Sequence, residues 1–420
     1  MINKEHSTFF RDKCIATFVI LLSTFLFWLP VATGGLFLPQ IAREFGLTPA
    51  QTSALAGSIS FGTMISIFVI GILMDKINMK YVMFFGLALA GVTVYGRAIF
   101  EDYGMLYLVF VLFGVAMAFA PGNSRAITFW YEKEQMLTMN AIIVALGALS
   151  FVVGLNTAVP MAEMLGGWRA YFKVLGVICL ACAFLWVTVV RSMTSRQAVL
   201  NESVKIKDIE KDSVFQNIKY VISSPRVWCC TVAEMAFIGG ATNFLTALAP
   251  LALVSSWGVT PAQAGFLAST LNMGSILGYL TLPTLMRKYY RGSPYLPAGL
   301  CAIGSVILWS TALLSRNETI FIPLFFLGGF LNGIGFAGPR SFLVMLPEVG
   351  GLRAGTASGI FNTMLRFWMM FWISMAGVVL GYLGDYSVTM AAMMCIGFIN
   401  PIALYVLYRL TKNQKSVAAG

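Results

Sequence analysis

Gly46-Leu47-Thr48-Pro49-Ala50-Gln51 returns 212 positions later as Gly258-Val259-Thr260-Pro261-Ala262-Gln263. Each copy follows a long apolar segment, occupies a short polar gap and opens another apolar segment. The chain around them is 58% hydrophobic and 11% charged, with mean hydropathy +0.81. A duplication inside so apolar a chain predicts a two-fold repeated bundle of membrane helices.

Outward from the two hexapeptides, segments long enough to cross a bilayer recur along the whole chain. They are predicted at 14–38, 50–74, 80–100, 104–124, 136–160 and 170–191, then at 226–254, 262–286, 295–314, 319–346, 353–383 and 387–409. The expected fold is all-α and membrane-integral, with twelve transmembrane helices as two pseudo-symmetric six-helix bundles. The N-terminal bundle would occupy 1–191, a cytoplasmic linker 192–225 and the C-terminal bundle 226–420. Pro30, Pro160, Pro250 and Pro323 interrupt spans, which membrane helices tolerate where neighbours satisfy the freed carbonyls. The first apolar segment is too long for a signal-peptide core and lacks a small-residue cleavage site, so it is expected to stay as the first span.

The basic residues set the orientation. With the N-terminus in the cytoplasm, the outer loops hold Arg43, Arg97, Arg169, Lys173 and Arg316, and Arg366 falls inside a span. The other 22 of the 28 Lys and Arg lie on the cytoplasmic side, which places both termini there. The same distribution accounts for the net charge of +11 without nucleic acid, because the cations are spread over many short loops.

No cofactor or metal site is expected. Cys179-x-x-Cys182 lies mid-helix in an apolar run with no His nearby, and reads as two small buried side chains. His6, the one histidine, precedes the first span, which excludes an intramembrane His relay. No cluster of His, Cys, Asp and Glu points to a membrane enzyme, and there is no phosphate-binding G-x-x-x-x-G-K-[ST] loop for ATP. In the linker, Ile206, Ile209, Phe215, Ile218 and Ile222 recur at roughly helical spacing among lysines. That pattern fits an interfacial helix on the anionic leaflet, and equally a linker with incidental periodicity.

Three motifs carry a family resemblance. Gly71-Ile72-Leu73-Met74-Asp75-Lys76-Ile77-Asn78-Met79-Lys80 lies between spans two and three. It resembles the signature G-x-L-x-D-R/K-x-G-x-K/R of the major facilitator superfamily, departing at Asn78, where Asn stands for Gly as the next most tolerant residue in a left-handed turn. Gly166-Gly167-Trp168-Arg169-Ala170-Tyr171-Phe172 opens span six, and Gly355-Thr356-Ala357-Ser358-Gly359-Ile360-Phe361-Asn362 opens span eleven; members carry similar runs there.

The resemblance implies a secondary transporter in which the loop latches the two halves at the cytoplasmic face. Gly71, Asp75, Lys76 and Lys80 would form that gate with Arg353 at the start of span eleven. Physically, Gly71 would permit close helix approach, Leu73 would pack at the interface, and Asp75 would accept from a helix N-terminus. Arg125 and Arg340, near the cytoplasmic ends of spans four and ten, read as a basic vestibule or as positive-inside anchors. The span-four arginine frequent in the family is absent, since 110–114 reads Phe-Val-Leu-Phe-Gly, and span five lacks the compact Gly-Pro motif of drug/proton antiporters.

Arg366 is the residue most telling of substrate. It lies thirteen residues past Arg353, roughly 20 Å into a hydrocarbon core about 30 Å thick. A guanidinium there keeps its proton and needs an anion. Asn362, Phe367, Trp368, Phe371 and Trp372 surround it in sequence and offer an amide and rings for the body of an organic anion. The competing structural reading pairs it with Glu234, an acid roughly 12 Å into span seven, for which proton coupling is another role. Trp28, Asn243, Asn272 and Tyr279 complete the expected substrate site; Asn156 and Asn332 would join helices or line the cavity. Arg97, beside Glu101 and Asp102, reads first as a rim salt bridge, with an entry site for anions as the other reading.

The sequence therefore predicts a monomeric, multi-pass transporter of the cell membrane. Its cargo would be a small organic or inorganic anion, with a carboxylate first, and its coupling proton symport or anion exchange. Efflux of drugs or amphiphiles by proton antiport is the alternative.

Overall fold

The computed structural model describes residues 2–127, 129–131, 133–190, 214–289, 295–336, 339, 342, 343, 346 and 349–417. The first half contains α1 (Ile2–Glu44), α2 (Pro49–Lys76), α3 (Met79–Gly96), α4 (Tyr103–Met117), α5 (Gly122–Ile127), α6 (Lys133–Leu165) and α7 (Trp168–Val189). α8 (Val214–Ser223) precedes the second half. There the seventh span is α9 (Pro225–Glu234), a π-helical stretch Met235–Thr242, α10 (Asn243–Ala252) and a second π-helical stretch Leu253–Trp257. α11 (Pro261–Tyr289), α12 (Tyr295–Ser315), α13 (Glu318–Phe336) and α14 (Gly350–Leu383) follow. The twelfth span is α15 (Tyr386–Met394), a 3-10 turn and α16 (Ile399–Val417). Helices thus stand at all twelve predicted positions, and among the described residues ten are long and apolar enough to cross a membrane.

The repeated hexapeptide owes its composition to helix ends. Gly46 and Gly258 adopt φ +62 and +71, the left-handed conformation that terminates a helix and that a Cβ resists. Thr48 then caps α2: its Oγ1 accepts from Gln51 N at 3.2 Å, while Thr48 N donates to Gln51 Oε1 at 2.9 Å. Thr260 and Gln263 repeat the box at 3.3 and 3.1 Å. Pro49 and Pro261 fill first helical positions, where an N–H would be orphaned anyway.

Each half is joined internally by the same device. Membrane helices gain nothing from burying apolar surface against one another instead of lipid, so small residues and interhelical hydrogen bonds hold them. A Cβ on Gly62 of α2 would strike Val111 O of α4, and one on Gly274 of α11 would strike Phe326 O of α13. Thr63 Oγ1 donates to Gly114 O at 2.8 Å, and Ser275 Oγ to Gly329 O at 3.1 Å. Asn332 Nδ2 also donates to Ser275 Oγ at 3.3 Å, so Asn332 joins helices.

Between halves, α2 runs antiparallel to α14, and α6 packs on α11. Contact is tightest on the face that bears the hexapeptides. A Cβ at Gly57 would lie 2.7 Å from Ser374 Oγ, one at Gly377 2.6 Å from Pro49 O, and one at Gly265 would strike Leu155 O. Toward the opposite face the contact loosens: a Cβ at Gly359 reaches only Phe68, at 4.0 Å, and one at Gly71 meets nothing within 4 Å.

Three sequence expectations are corrected here. Gly71 permits no close approach in this arrangement, and Leu73 is exposed instead of packed, because both sit on the loosened end of α2. Asn78 has φ −55, not a left-handed value; it caps α3, its Oδ1 accepting from Lys80 N at 3.1 Å. In α8, Val221 is buried and Ile222 is exposed. The remainder of the linker, with Ile206 and Ile209, lies outside the described residues.

Candidate functional site

α1, α2, α4 and α14 line a cavity between the halves that is partly open to solvent. α1 contributes Trp28, Gly34 and Gly35, α2 contributes Ser60, α4 Phe110, and α14 Arg366. Among the described lining residues Arg366 alone is charged. The glycines leave room beside α1, and Trp28 is held from behind by Gly147, where a Cβ would approach the indole to 3.2 Å.

Helical geometry decides which residues accompany Arg366. At about 100° per residue, Met369 and Ile373 return to its face, and both line the cavity. Arg366 Nη1 lies 3.7 Å from Met369 Sδ. Asn362, one turn earlier, shares that face and is half-buried. Trp368 falls about 200° round the helix, where it stacks on Phe371 with centroids 5.8 Å apart. Phe367 and Phe371 are exposed on the outer surface. The expected cradle of α14 rings is therefore corrected: the cavity's rings are Trp28 and Phe110 of the other half.

The remaining expected site residues are dispersed. Glu234 is fully buried at the end of α9, where the π-helical stretch begins. The altered backbone spacing there frees carbonyls, and Asn400 Nδ2 of α16 donates to Ala233 O at 2.8 Å. Asn272 of α11 is buried and Tyr279 half-buried; neither they nor Glu234 are among the described lining residues. The side chain of Asn243 lies outside the described residues. Of the gate set, Lys80 Nζ sits 5.8 Å from the Tyr81 ring centroid and Arg125 is half-buried in α5. The side chains of Asp75, Lys76 and Arg353, and all of Arg340, lie outside the described residues.

Sequence reading misplaced one cation. Arg97 is not on the rim; it is 0% exposed at the C-terminal end of α3. Its guanidinium lies 4.2 Å from the Phe110 ring centroid, 4.4 Å from Phe113 and 5.3 Å from Phe172. Nη1 donates to Pro30 O at 2.9 Å. Asp102, the acid expected nearby, instead caps α4 by accepting from Met105 N at 3.0 Å. A signal for this was present in the clustering of Phe110 and Phe113 one turn apart, a cation-binding surface as much as a lipid-facing one.

The rim ion pair is made by Arg169 of the Gly-Gly-Trp-Arg run. Its Nη2 and Nε donate to Glu44 Oε1 at 2.7 and 3.0 Å, and Nη1 to Ala98 O and Phe100 O at 3.2 Å each. Trp168 Nε1 donates to Glu44 Oε2 at 2.8 Å. One residue thereby ties the end of α1, the α3–α4 turn and α7 together.

Two six-helix units of like orientation around a central cavity define a class of membrane transporter fold. The family model described as Major Facilitator Superfamily matches residues 20–373, and the chain belongs to that superfamily. The chain is 23% identical over 361 residues to the "Probable galactarate/D-glucarate transporter GudP" of Escherichia coli, covering 77% of each. It is 23% identical over 379 residues to a "Probable hexose phosphate transport protein" of Chlamydia pneumoniae, covering 83% of this chain and 80% of that one. The fold matches the inward-facing, unoccupied crystal structure of a bacterial homolog to the human lysosomal transporter Spinster, with TM-score 0.73 and 14% identity over 95% of this chain and 97% of that one.

Proposed function

We propose that this protein carries a small anion, with a carboxylate as the preferred group, across the cell membrane by alternating access. The observation that carries the reading is Arg366, the cavity's one charged residue among those described, set between the two halves. On insertion scales an arginine at the centre of a membrane helix costs roughly 2.5–3.5 kcal/mol. A cavity-facing guanidinium that can bind carboxylate bidentately explains why such a residue is kept. Trp28 and Phe110 then supply surface for the substrate's body. Two relatives are named for galactarate/D-glucarate and for hexose phosphate, all anions, which supports the same class. Efflux of cationic amphiphiles has less support, because the cavity's charge is a cation.

In this reading the monomer is the functional unit and both termini are cytoplasmic. The hexapeptide face is then extracellular, and its tight contacts make the arrangement inward-open. Asp75, Lys76 and Lys80 would meet the start of α14 when the inner gate closes. Glu234 would carry the coupling proton in symport; anion exchange is the second coupling scheme. Halves 1–191 and 226–420 would move as units about the contacts of α2 with α14 and α6 with α11.

The test is thermal stabilisation of purified protein by mono- and dicarboxylates, inorganic anions and cationic drugs, with Arg366→Gln in parallel. A ligand at 100 times its Kd stabilises the native state by about 2.7 kcal/mol. We expect an anion to stabilise wild type and to lose at least tenfold in affinity in Arg366→Gln. Stabilisation by cations, or by anions equally in both proteins, would overturn the reading.

A further inference from the structure

The mechanism above leaves one buried cation unused. Arg97 lies immediately behind the cavity wall: a Cβ on Gly34 would stand 3.1 Å from its Nη1, and its guanidinium covers the Phe110 ring at 4.2 Å. Gly34 and Phe110 both line the cavity. Resting on the anion reading of that cavity, we propose that Arg97 is a specificity-determining residue whose charge, acting through this one-residue wall, selects substrates with two negative charges over those with one.

Four observations carry the inference. First, the charge persists, because arginine does not lose its proton in a protein. Three aromatic faces and the Pro30 carbonyl accept it, and the negative end of the α3 dipole lies at the same place. Second, no carboxylate among the described residues pairs with it, and its Nε and Nη2 have no hydrogen-bond partner. Its field is therefore not cancelled locally and extends into the cavity.

Third, packing alone does not call for a cation. The 212-residue repeat matches Arg97 to Trp309 of α12, an uncharged residue. Trp309 is buried and stacked on Phe237 at 5.9 Å and 14°. Fourth, Arg97 is coupled to the cavity wall itself. Pro30 has no N–H for Leu26 O, towards which Cys179 Sγ instead points at 3.9 Å. Arg97 Nη1 donates to the carbonyl of Pro30 itself, so the segment from Trp28 to Gly35 that lines the cavity is tied to Arg97 from behind.

A monoanion on Arg366 has its charge met. A dianion brings a second charge, for which Arg97 is the remaining cation against the wall. At an effective dielectric near 20 and a separation of several ångströms, one such charge pair shifts affinity by about tenfold or more. Loss of Arg97 should thus weaken dianions by one interaction more than monoanions.

The experiment compares acids of one carbon skeleton: gluconate with glucarate, and butyrate with succinate. Binding is read by thermal stabilisation in wild type, Arg97→Gln, Arg97→Lys and Arg366→Gln. We expect wild type to prefer the diacid in at least one pair by about tenfold, Arg97→Gln to lose that preference, and Arg97→Lys to keep it. A merely structural role would weaken both members of a pair alike and leave their ratio unchanged, which overturns the inference. So does a wild type that binds monoacids as well as diacids, whatever the variants do. Arg97→Met, which keeps the apolar stem, replaces Arg97→Gln if the latter does not fold. Equal binding of all acids by wild type and Arg366→Gln would instead sink the anion reading beneath both.

Discussion

The two halves are built alike where helices touch and differently where charges sit. At the α2–α4 joint and the α11–α13 joint, close glycine contacts and a hydroxyl-to-carbonyl bond recur, with Gly62 matched by Gly274 and Thr63 by Ser275, while the glycine–glycine contact shifts from Gly62–Gly114 to Gly278–Gly333. The rims diverge. In the first half Arg169 binds Glu44 and two carbonyls. In the second, the position of Glu44 under the repeat is Ser256, which accepts from Ser387 N at 3.2 Å. The charge pair there has moved to Arg316 and Asp385. The interior diverges further: the first half buries Arg97 against rings, whereas the seventh span buries Glu234 beside a π-helical stretch. Backbone approach is dictated by the packing of helices in lipid, so both copies of a duplicated unit must satisfy it. Charges are under no such shared packing constraint, so the two halves are free to differ in them.

The largest effects should come from breaking what is shared. Gly62→Val and Gly274→Val each drive a side chain into a backbone carbonyl that cannot move aside. We expect each to destabilise by at least about 3 kcal/mol, the upper range for overpacking, with little folded protein recovered. Size-exclusion profiles and thermal unfolding read the result; tolerance of one substitution but not the other would break the equivalence of the joints.

Smaller and unequal effects should come from the rims. Arg169 is mostly buried and makes several charge-assisted bonds, so Arg169→Ala should destabilise by about 1–3 kcal/mol. Arg316 is 56% exposed in its pair with Asp385, so Arg316→Ala should cost less than about 1 kcal/mol. Unfolding of the two variants under one condition measures the difference, and equal losses would remove the contrast.

The smallest effect concerns pH. Partial burial works to raise the Asp385 carboxyl, but the Val388 amide, the Ser256 hydroxyl and Arg316 hold it below the usual carboxylate range. A depressed native value stabilises above the unfolded value near 3.9 and is lost as pH falls through the native one. Stability should therefore decline below about pH 4 by a component that Asp385→Asn lacks. Parallel unfolding curves of wild type and variant at pH 3 and 6 check this; an unchanged difference between them would show that the carboxyl does not contribute.

Much of the architecture was legible in the chain because lipid enforces simple rules. Span length, the positions of helix ends and the duplication follow from apolar runs and from Gly-x-Thr-Pro-Ala-Gln, whose glycine, threonine and glutamine each have one local task. Arg366 stood out for the same reason: a cation deep in an apolar helix requires an explanation wherever its neighbours lie. What the sequence could not determine was which neighbours those would be. Trp368 and Phe371 are adjacent to Arg366 in sequence yet on the opposite side of the helix, and the cavity's rings come from Trp28 and Phe110, hundreds of residues away. Arg97 looked like a rim residue by its distance from a loop, and only the convergence of α1, α3, α4 and α7 turned it into a buried charge. Local backbone physics acts over a few residues and can be read in order along the chain. The company a side chain keeps is set by packing between segments remote in sequence, and that the tertiary structure alone decided.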